Sequence, residues 1–189
     1  MSSYSWIILS YKVPSEPSTF RVRVWRNLKE LGVLYLQQSV CVVPNTPEVA
    51  KKIQHVLKVV EESQGEGLLL EVKHFSDESE TKLIDTFNQQ CIVEWREFLQ
   101  GCERFLQEIE LETKTENFTF YEVEENEADL LKLRRWFRKI FKRDFFSSTM
   151  LAEAQKQMSN CEKILKTFTK EVYQRQGFAE GQIIRDTLD

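Results

Sequence analysis

The sequence predicts an α+β fold in which a small antiparallel sheet with two helices is followed by an array of long helices. Over roughly the first 75 residues, short β-branched and aromatic runs alternate with stretches whose apolar residues recur at helical spacing. From about Ser79 onwards the strand-like runs stop, and apolar residues step by three and four through long segments. We therefore expect two domains, residues 1–78 and residues 79–189.

The first strand is predicted over Ser5–Val13, an apolar run that the following prolines interrupt. Ser18 is the predicted N-cap of the first helix, because its hydroxyl can accept a hydrogen bond from an unpaired backbone amide. This helix should end at Gly32, because glycine commonly ends helices. Its apolar stripe consists of Phe20, Val24, Leu28 and Leu31.

A hairpin follows, with strands over residues 33–36 and 39–43 joined around Gln37-Gln38. Pro47 then opens a second helix at the position where proline is best tolerated, and Leu68–Phe75 supplies the last strand. The resulting order β-α-β-β-α-β is typical of the ferredoxin-like sandwich, in which two helices cover one face of the sheet.

Three long amphipathic helices are predicted in the remainder of the chain. The first runs to about Ile109, and the second begins at a capping box, Thr119 with Glu122, and reaches about Arg143. Gly177 should end the third helix, and the tail to Asp189 is expected to fray. The heptad seam of the third helix predicts an antiparallel helical bundle or hairpin array; it comprises Leu151, Ala154, Met158, Cys161, Leu165, Phe168 and Val172.

Composition narrows the possible functions. The four cysteines occur singly within apolar patterns, which predicts buried free thiols in a reducing compartment. The chain shows neither a secretion signal nor an apolar run of the roughly 20 residues that span a bilayer, so we expect a cytoplasmic protein without membrane contact. His55 and His74 match no established ligand spacing, and we expect no metal and no cofactor.

Two groups of cations are the best candidates for binding. Arg21 is predicted at the edge of the buried face of the first helix, with Arg23 and Arg26 pointing outward. A half-buried guanidinium needs an acceptor, either a carboxylate of the helical bundle or an oxyanion or phosphate. The second group comprises Lys132, Arg134, Arg135, Arg138, Lys139, Lys142 and Arg143.

This second group crowds one helix with no acid among its members. Like charges one turn apart cost about 0.2–0.5 kcal/mol per pair, so something should compensate them. The helix dipole or the acidic stretch Glu103 to Glu116 is one explanation, and nucleic-acid phosphates are the other.

Several separated motifs resemble the N-terminal region of ChrB, the chromate-resistance regulator. They are Trp6, the run Arg21-Val-Arg-Val-Trp-Arg with its following Leu-Lys-x-Leu-Gly, Ser39-Val40 through Pro44, Glu94-Trp95-Arg96-Glu97-Phe98, Phe118-Thr119-Phe120, Leu133-Arg134-Arg135-Trp136, and Arg143-Asp144-Phe145-Phe146. The resemblance covers roughly Tyr4 to Gly177. The longer members of this family carry a further C-terminal domain.

The resemblance implies a non-enzymatic regulator of chromate resistance that binds DNA, with chromate or another oxyanion as a further partner. We also expect a homodimer. Small nucleases of similar shape place a metal-binding carboxylate where this chain has Lys12, and a cation there excludes Mg²⁺. Our hypothesis assigns Arg21, Arg23 and Arg26 to anion contacts, and Arg134, Arg135, Arg138 and Lys139 to DNA phosphates.

Two other function classes stay open. One is a protein–protein interaction module that dimerises through its sheet without binding DNA. The other is an enzyme acting on small oxyanions, which requires a cleft where His74 or a buried carboxylate meets the arginines.

Overall fold

A computed structural model describes residues 4–177 and confirms the α+β class. The elements follow the predicted order. They are β1 (Trp6–Lys12), α1 (Ser18–Leu31), β2 (Leu34–Gln37), β3 (Val40–Pro44), α2 (Pro47–Glu62), β4 (Glu66–Val72), α3 (Asp77–Lys114), α4 (Phe120–Phe141) and α5 (Leu151–Arg175). No helix among residues 4–177 is long and apolar enough to cross a membrane.

The sheet has the strand order β2-β3-β1-β4, and all of its neighbouring strands are antiparallel. Side chains alternate across a strand, so Ile7 and Leu9 of β1 point to one face together with Cys41 and Val43 of β3. On that face they pack with the apolar stripes of α1 and α2 in one core. The sandwich predicted from the sequence is therefore present.

The opposite face of the sheet is also covered in part. Trp6, Leu34 and Val42 are buried in a second core together with Phe87, which lies on α3. The indole nitrogen of Trp6 donates a hydrogen bond to Glu80 at 3.0 Å, so the start of α3 is fastened to the first strand. The first residues of α3 therefore pack against the sheet and cover part of its second face.

The chain divides into two compact units. The first comprises residues 1–90 with 142–147, and the second comprises residues 91–141 with 148–189. The predicted boundary between residues 78 and 79 stays a prediction, because α3 runs without interruption from Asp77 to Lys114 and contributes to both units.

In the second unit, α3 from Cys91 onwards, α4 and α5 share one apolar core. Phe98 is fully buried and makes edge contacts with Trp95 and Phe137 at centroid distances of 5.7 and 5.6 Å. All members of the predicted heptad seam of α5 are buried except Leu151, which is partly buried. The tail beyond Gly177 lies outside the described residues.

Two boundaries differ from those predicted. Ser18 is not the N-cap of α1, because the helix begins one residue earlier and Pro17 occupies the capping position without a side-chain hydrogen bond. The last strand covers Glu66–Val72 and not Leu68–Phe75. Glu66 is paired with Lys12 and Val72 with Trp6, so β1 offers no partner beyond Val72.

Threonine side chains cap the starts of two other helices, and the cap at Thr119 was predicted. Thr46 accepts a hydrogen bond from the amide of Val49 at 3.2 Å and starts α2. Thr119 accepts one from the amide of Glu122 at 3.3 Å, which is half of the capping box. The carboxylate of Glu122 accepts from the side-chain amide of Asn117 at 2.7 Å.

Candidate anion-binding surfaces

The three arginines of α1 do not converge on one site. The edge burial predicted for Arg21 is wrong: its side chain is exposed, because the buried stripe of α1 is limited to Val24, Leu28 and Leu31 and turns away from it. No carboxylate of residues 4–177 forms an ion pair with Arg21. In the described part of the chain, Arg21 therefore does not form the salt bridge to a carboxylate of the helical bundle that the sequence analysis offered as one possibility.

Arg23 and Arg26 point outward, as predicted. Arg23 forms a long ion pair with Glu62 of α2 at 3.7 Å, and both side chains are more than half exposed. Surface pairs of this kind contribute less than about 1 kcal/mol. Arg23 and Arg26 line a recess of about 430 Å³ near Ser18, whereas Arg21 lines a different cavity.

The cavity lined by Arg21 has a volume of about 560 Å³ and lies where β1 and β2 end beside the start of α1. Arg21 and Lys12 bring two cations to its wall, and no acid or histidine lines it. Tyr11 and Tyr35 line it too, and their hydroxyl oxygens lie 3.2 Å apart in a hydrogen bond. Cations and hydroxyl donors without a carboxylate suit an anion.

Trp25 supplies the aromatic part of the same wall. Arg21 and Trp25 are four residues apart and therefore neighbours on one side of α1. The indole is 47% exposed, and the ammonium group of Lys29 lies 5.0 Å from its ring centroid. The cavity thus combines a flat aromatic surface with cations one helical turn away.

Burial raises the pKa of Tyr11 and of Tyr35, and in Tyr35 the hydrogen bond with Tyr11 raises it further. Both hydroxyls therefore keep their protons at neutral pH. One proton is used in the bond between them, which leaves the other hydroxyl a proton to donate to a ligand.

The cations of α4 lie on its outer face. Arg134 donates to Glu162 of α5 at 2.7 Å, and Lys132 pairs with Asp129 at 2.6 Å on its own helix. Arg135, Arg138 and Lys139 are exposed, and no carboxylate among residues 4–177 pairs with them. The neighbouring acids of α3 therefore do not neutralise this group by direct pairing.

The helix dipole explains only part of this arrangement. Arg138 and Lys139 lie in the last turn of α4, where cations are favoured, and Glu122 lies in the first turn, where acids are favoured. Arg135 precedes the last turn, so the dipole leaves its charge largely uncompensated. We use the name α4 cationic face for Arg135, Arg138 and Lys139.

Sequence reasoning did not identify Tyr11, Tyr35 and Trp25 as cavity residues. Alternation along β1 places Tyr11 on the same face as Leu9, so the sequence could predict which face of the sheet Tyr11 lies on. The position of Tyr35 could not be predicted in this way, because an irregularity in the pairing of β2 with β3 between Tyr35 and Gln37 changes which residues oppose each other. His55 and His74 are exposed, and neither lines the Arg21 cavity.

A family model and a curated relative match this chain. A family model described as "Protein ChrB, N-terminal" matches residues 21–178. A curated relative, Protein ChrB of Cupriavidus metallidurans, is 26% identical over 157 residues, which cover 81% of this chain and 44% of that relative. The chain therefore spans less than half the length of the relative that it matches.

Proposed function

Because the chain belongs to the ChrB N-terminal family, we propose that it is a non-enzymatic regulatory protein of chromate resistance that contacts DNA through the α4 cationic face. The observation that supports this most directly is that Arg135, Arg138 and Lys139 are exposed together without carboxylate partners in residues 4–177. We place the protein in the cytoplasm, where reduced thiols such as its four free cysteines persist.

The electrostatics of this face favour an external anion. Arg135 is three residues from Arg138 and four from Lys139, so these like charges repel one another by about 0.2–0.5 kcal/mol per pair. Phosphates of a duplex would relieve that repulsion and release counterions. Arg134 is already engaged by Glu162, so it is a weaker candidate for phosphate contact than its neighbours.

The experiment measures duplex binding by fluorescence anisotropy over a range of salt concentrations, with DNA from the promoter of the protein's own gene and a mixed-sequence duplex. The test variant is Arg135→Ala/Arg138→Ala. Its matched control is Lys163→Ala/Lys166→Ala, which removes the same charge from exposed positions of α5. Removing two phosphate contacts should reduce the slope of log K against log salt by about 2.

The proposal is supported if the α4 variant loses affinity and slope while the α5 variant retains both. Equal losses in the two variants would mean that net charge alone attracts DNA. Unchanged binding in the α4 variant would show that this face is structural.

A second candidate function is a protein-interaction module that dimerises without DNA. It is favoured by β4, which is an edge strand of the sheet and exposes Leu68 and Leu70 at 58% and 46%. Exposed apolar edge strands are templates for pairing with another chain. Sedimentation velocity of Leu68→Lys/Leu70→Lys, compared with Leu111→Lys on α3, tests it. A dimer that only the β4 variant dissociates supports the module, and a wild-type monomer excludes it.

A further inference from the structure

The cavity lined by Arg21 is larger than an inorganic oxyanion requires. Its volume of about 560 Å³ falls in the range of roughly 300–1,000 Å³ that is typical of small-molecule sites. A tetrahedral oxyanion consists only of a central atom and its oxygens, and it would leave most of this space to water. The ligand that matches the cavity in size is therefore an organic molecule.

The charges of the wall indicate what this molecule carries. Arg21 and Lys12 supply two positive charges, and the lining includes no carboxylate that would cancel them. A phosphate monoester carries nearly two negative charges at neutral pH, and a guanidinium can bind two of its oxygens at once. The Tyr11–Tyr35 pair has one further hydroxyl proton to donate.

The aromatic part of the wall indicates the rest of the ligand. Trp25 is 47% exposed although it is a large apolar side chain, and it lines the cavity one helical turn from Arg21. Stacking of a nucleobase on an aromatic side chain contributes about 1–3 kcal/mol. One molecule that could place a flat ring on Trp25 and a phosphate on Arg21 at the same time is a nucleotide.

We propose that the cavity between the ends of β1 and β2 and the start of α1 binds a nucleoside monophosphate, with its phosphate on Arg21 and Lys12 and its base on Trp25. This site lies entirely in the first compact unit, and the α4 cationic face lies in the second. The proposal therefore does not depend on DNA binding by α4, and either one can fail alone.

Tryptophan fluorescence reports on this site selectively. Trp6 and Trp95 are fully buried and Trp136 is partly buried, so Trp25 is the most exposed of the four tryptophans of the chain. The experiment titrates the full chain with adenosine monophosphate at constant ionic strength. Adenosine, which lacks the phosphate, and inorganic phosphate, which lacks the ring, are titrated in parallel, and calorimetry measures the same affinities independently.

We expect saturable quenching by adenosine monophosphate, with adenosine and phosphate each at least about tenfold weaker. Phosphate binding as tightly as the nucleotide would overturn the aromatic part of the proposal. Adenosine binding as tightly as the nucleotide would overturn the role of the cations. Absence of saturable binding at millimolar nucleotide would overturn the site as a whole.

Variants locate the two halves of the ligand. Arg21→Gln should weaken adenosine monophosphate about 10- to 100-fold and leave adenosine unchanged, because a charge-assisted hydrogen bond to the phosphate is lost. The matched control is Arg26→Gln on the same helix, which lies outside this cavity and should bind the nucleotide as the wild type does. Equal effects of the two substitutions would contradict the assignment.

At Trp25, Trp25→Leu should weaken the nucleotide, whereas Trp25→Phe should restore most of the calorimetric affinity without the fluorescence signal. Both side chains are exposed, so circular dichroism should show that Arg21 and Trp25 variants fold normally. Nucleotide affinity that is unchanged in Trp25→Leu would exclude stacking on this ring.

Discussion

Replacement of Glu112 by glutamine should stabilise the protein above neutral pH and leave it unchanged in acid. Glu112 is buried in the second compact unit, and its Oε2 atom accepts a hydrogen bond from the buried side-chain amide of Asn126 at 2.7 Å. Burial, a hydrogen bond with Glu122 and the negative charges of Glu122 and Glu108 raise its pKa to about 7. Glutamine has the shape of the protonated acid. It can accept from Asn126 and donate to Glu122.

The sign of the pH dependence follows from this raised pKa. Below about pH 4.5, the ordinary value, Glu112 is protonated in both the folded and the unfolded chain. Between pH 4.5 and about 7 the folded chain holds a proton that the unfolded chain releases, so stability falls as pH rises. At about 1.4 kcal/mol per pH unit of displacement, and because water screens part of the effect, the loss by pH 8 is at most about 3 kcal/mol.

Urea unfolding of wild type and Glu112→Gln at pH 4 and pH 8, followed by circular dichroism, measures this difference. The free energy of unfolding of the variant should match that of the wild type at pH 4 and exceed it at pH 8, by at most about 3 kcal/mol. Glu97→Gln, at an exposed position of the same helix, is the control and should change little at either pH. An equal effect of Glu112→Gln at both pH values, or destabilisation at pH 8, would refute the reasoning.

Two substitutions and one labelling experiment test the fold. Gly32→Ala should lower the free energy of unfolding by about 1–3 kcal/mol, because Gly32 has a φ of 71° and an added Cβ would lie 2.6 Å from the Cβ of Arg143; wild-type urea stability would contradict this. Phe98→Ala should cost about 3–5 kcal/mol by opening a cavity in the helical core, and a loss below 1 kcal/mol would mean that the core collapses around it. Burial raises the pKa of Cys41 to about 12, so a disulfide reagent at pH 8 should label this thiol in the native protein far more slowly than in guanidinium, and rapid native labelling would show that the thiol is accessible.

Local patterns predicted the elements well. The alternation and helical spacing of apolar residues located the strands and helices, because each element buries one face and its period is written in the sequence. The α5 seam from Ala154 to Val172 is the clearest case. The exact ends of the elements were less predictable. Strand β4 stops at Val72 because this residue pairs with Trp6, the first residue of β1. The end of β4 therefore depends on a distant segment of the chain.

The candidate sites were only partly predictable for the same reason. The sequence showed which cations occur on α1 and α4, and it predicted correctly that Arg23 and Arg26 point outward. Which of them has a partner depends on residues far along the chain. Arg134 forms an ion pair with Glu162, and Arg23 forms one with Glu62. Arg21 lines a cavity together with Tyr11 and Tyr35.

Periodicity and short motifs are local properties of the chain, so the amino-acid sequence was enough to predict the α+β class, the order of the elements and the resemblance to ChrB. Tertiary structure alone decided that Arg21, Lys12, Trp25 and the tyrosine pair share a wall, and that the start of α3 joins the sheet through Trp6 and Glu80. These groupings arise from strand register and helix packing, which bring together residues that no local pattern connects.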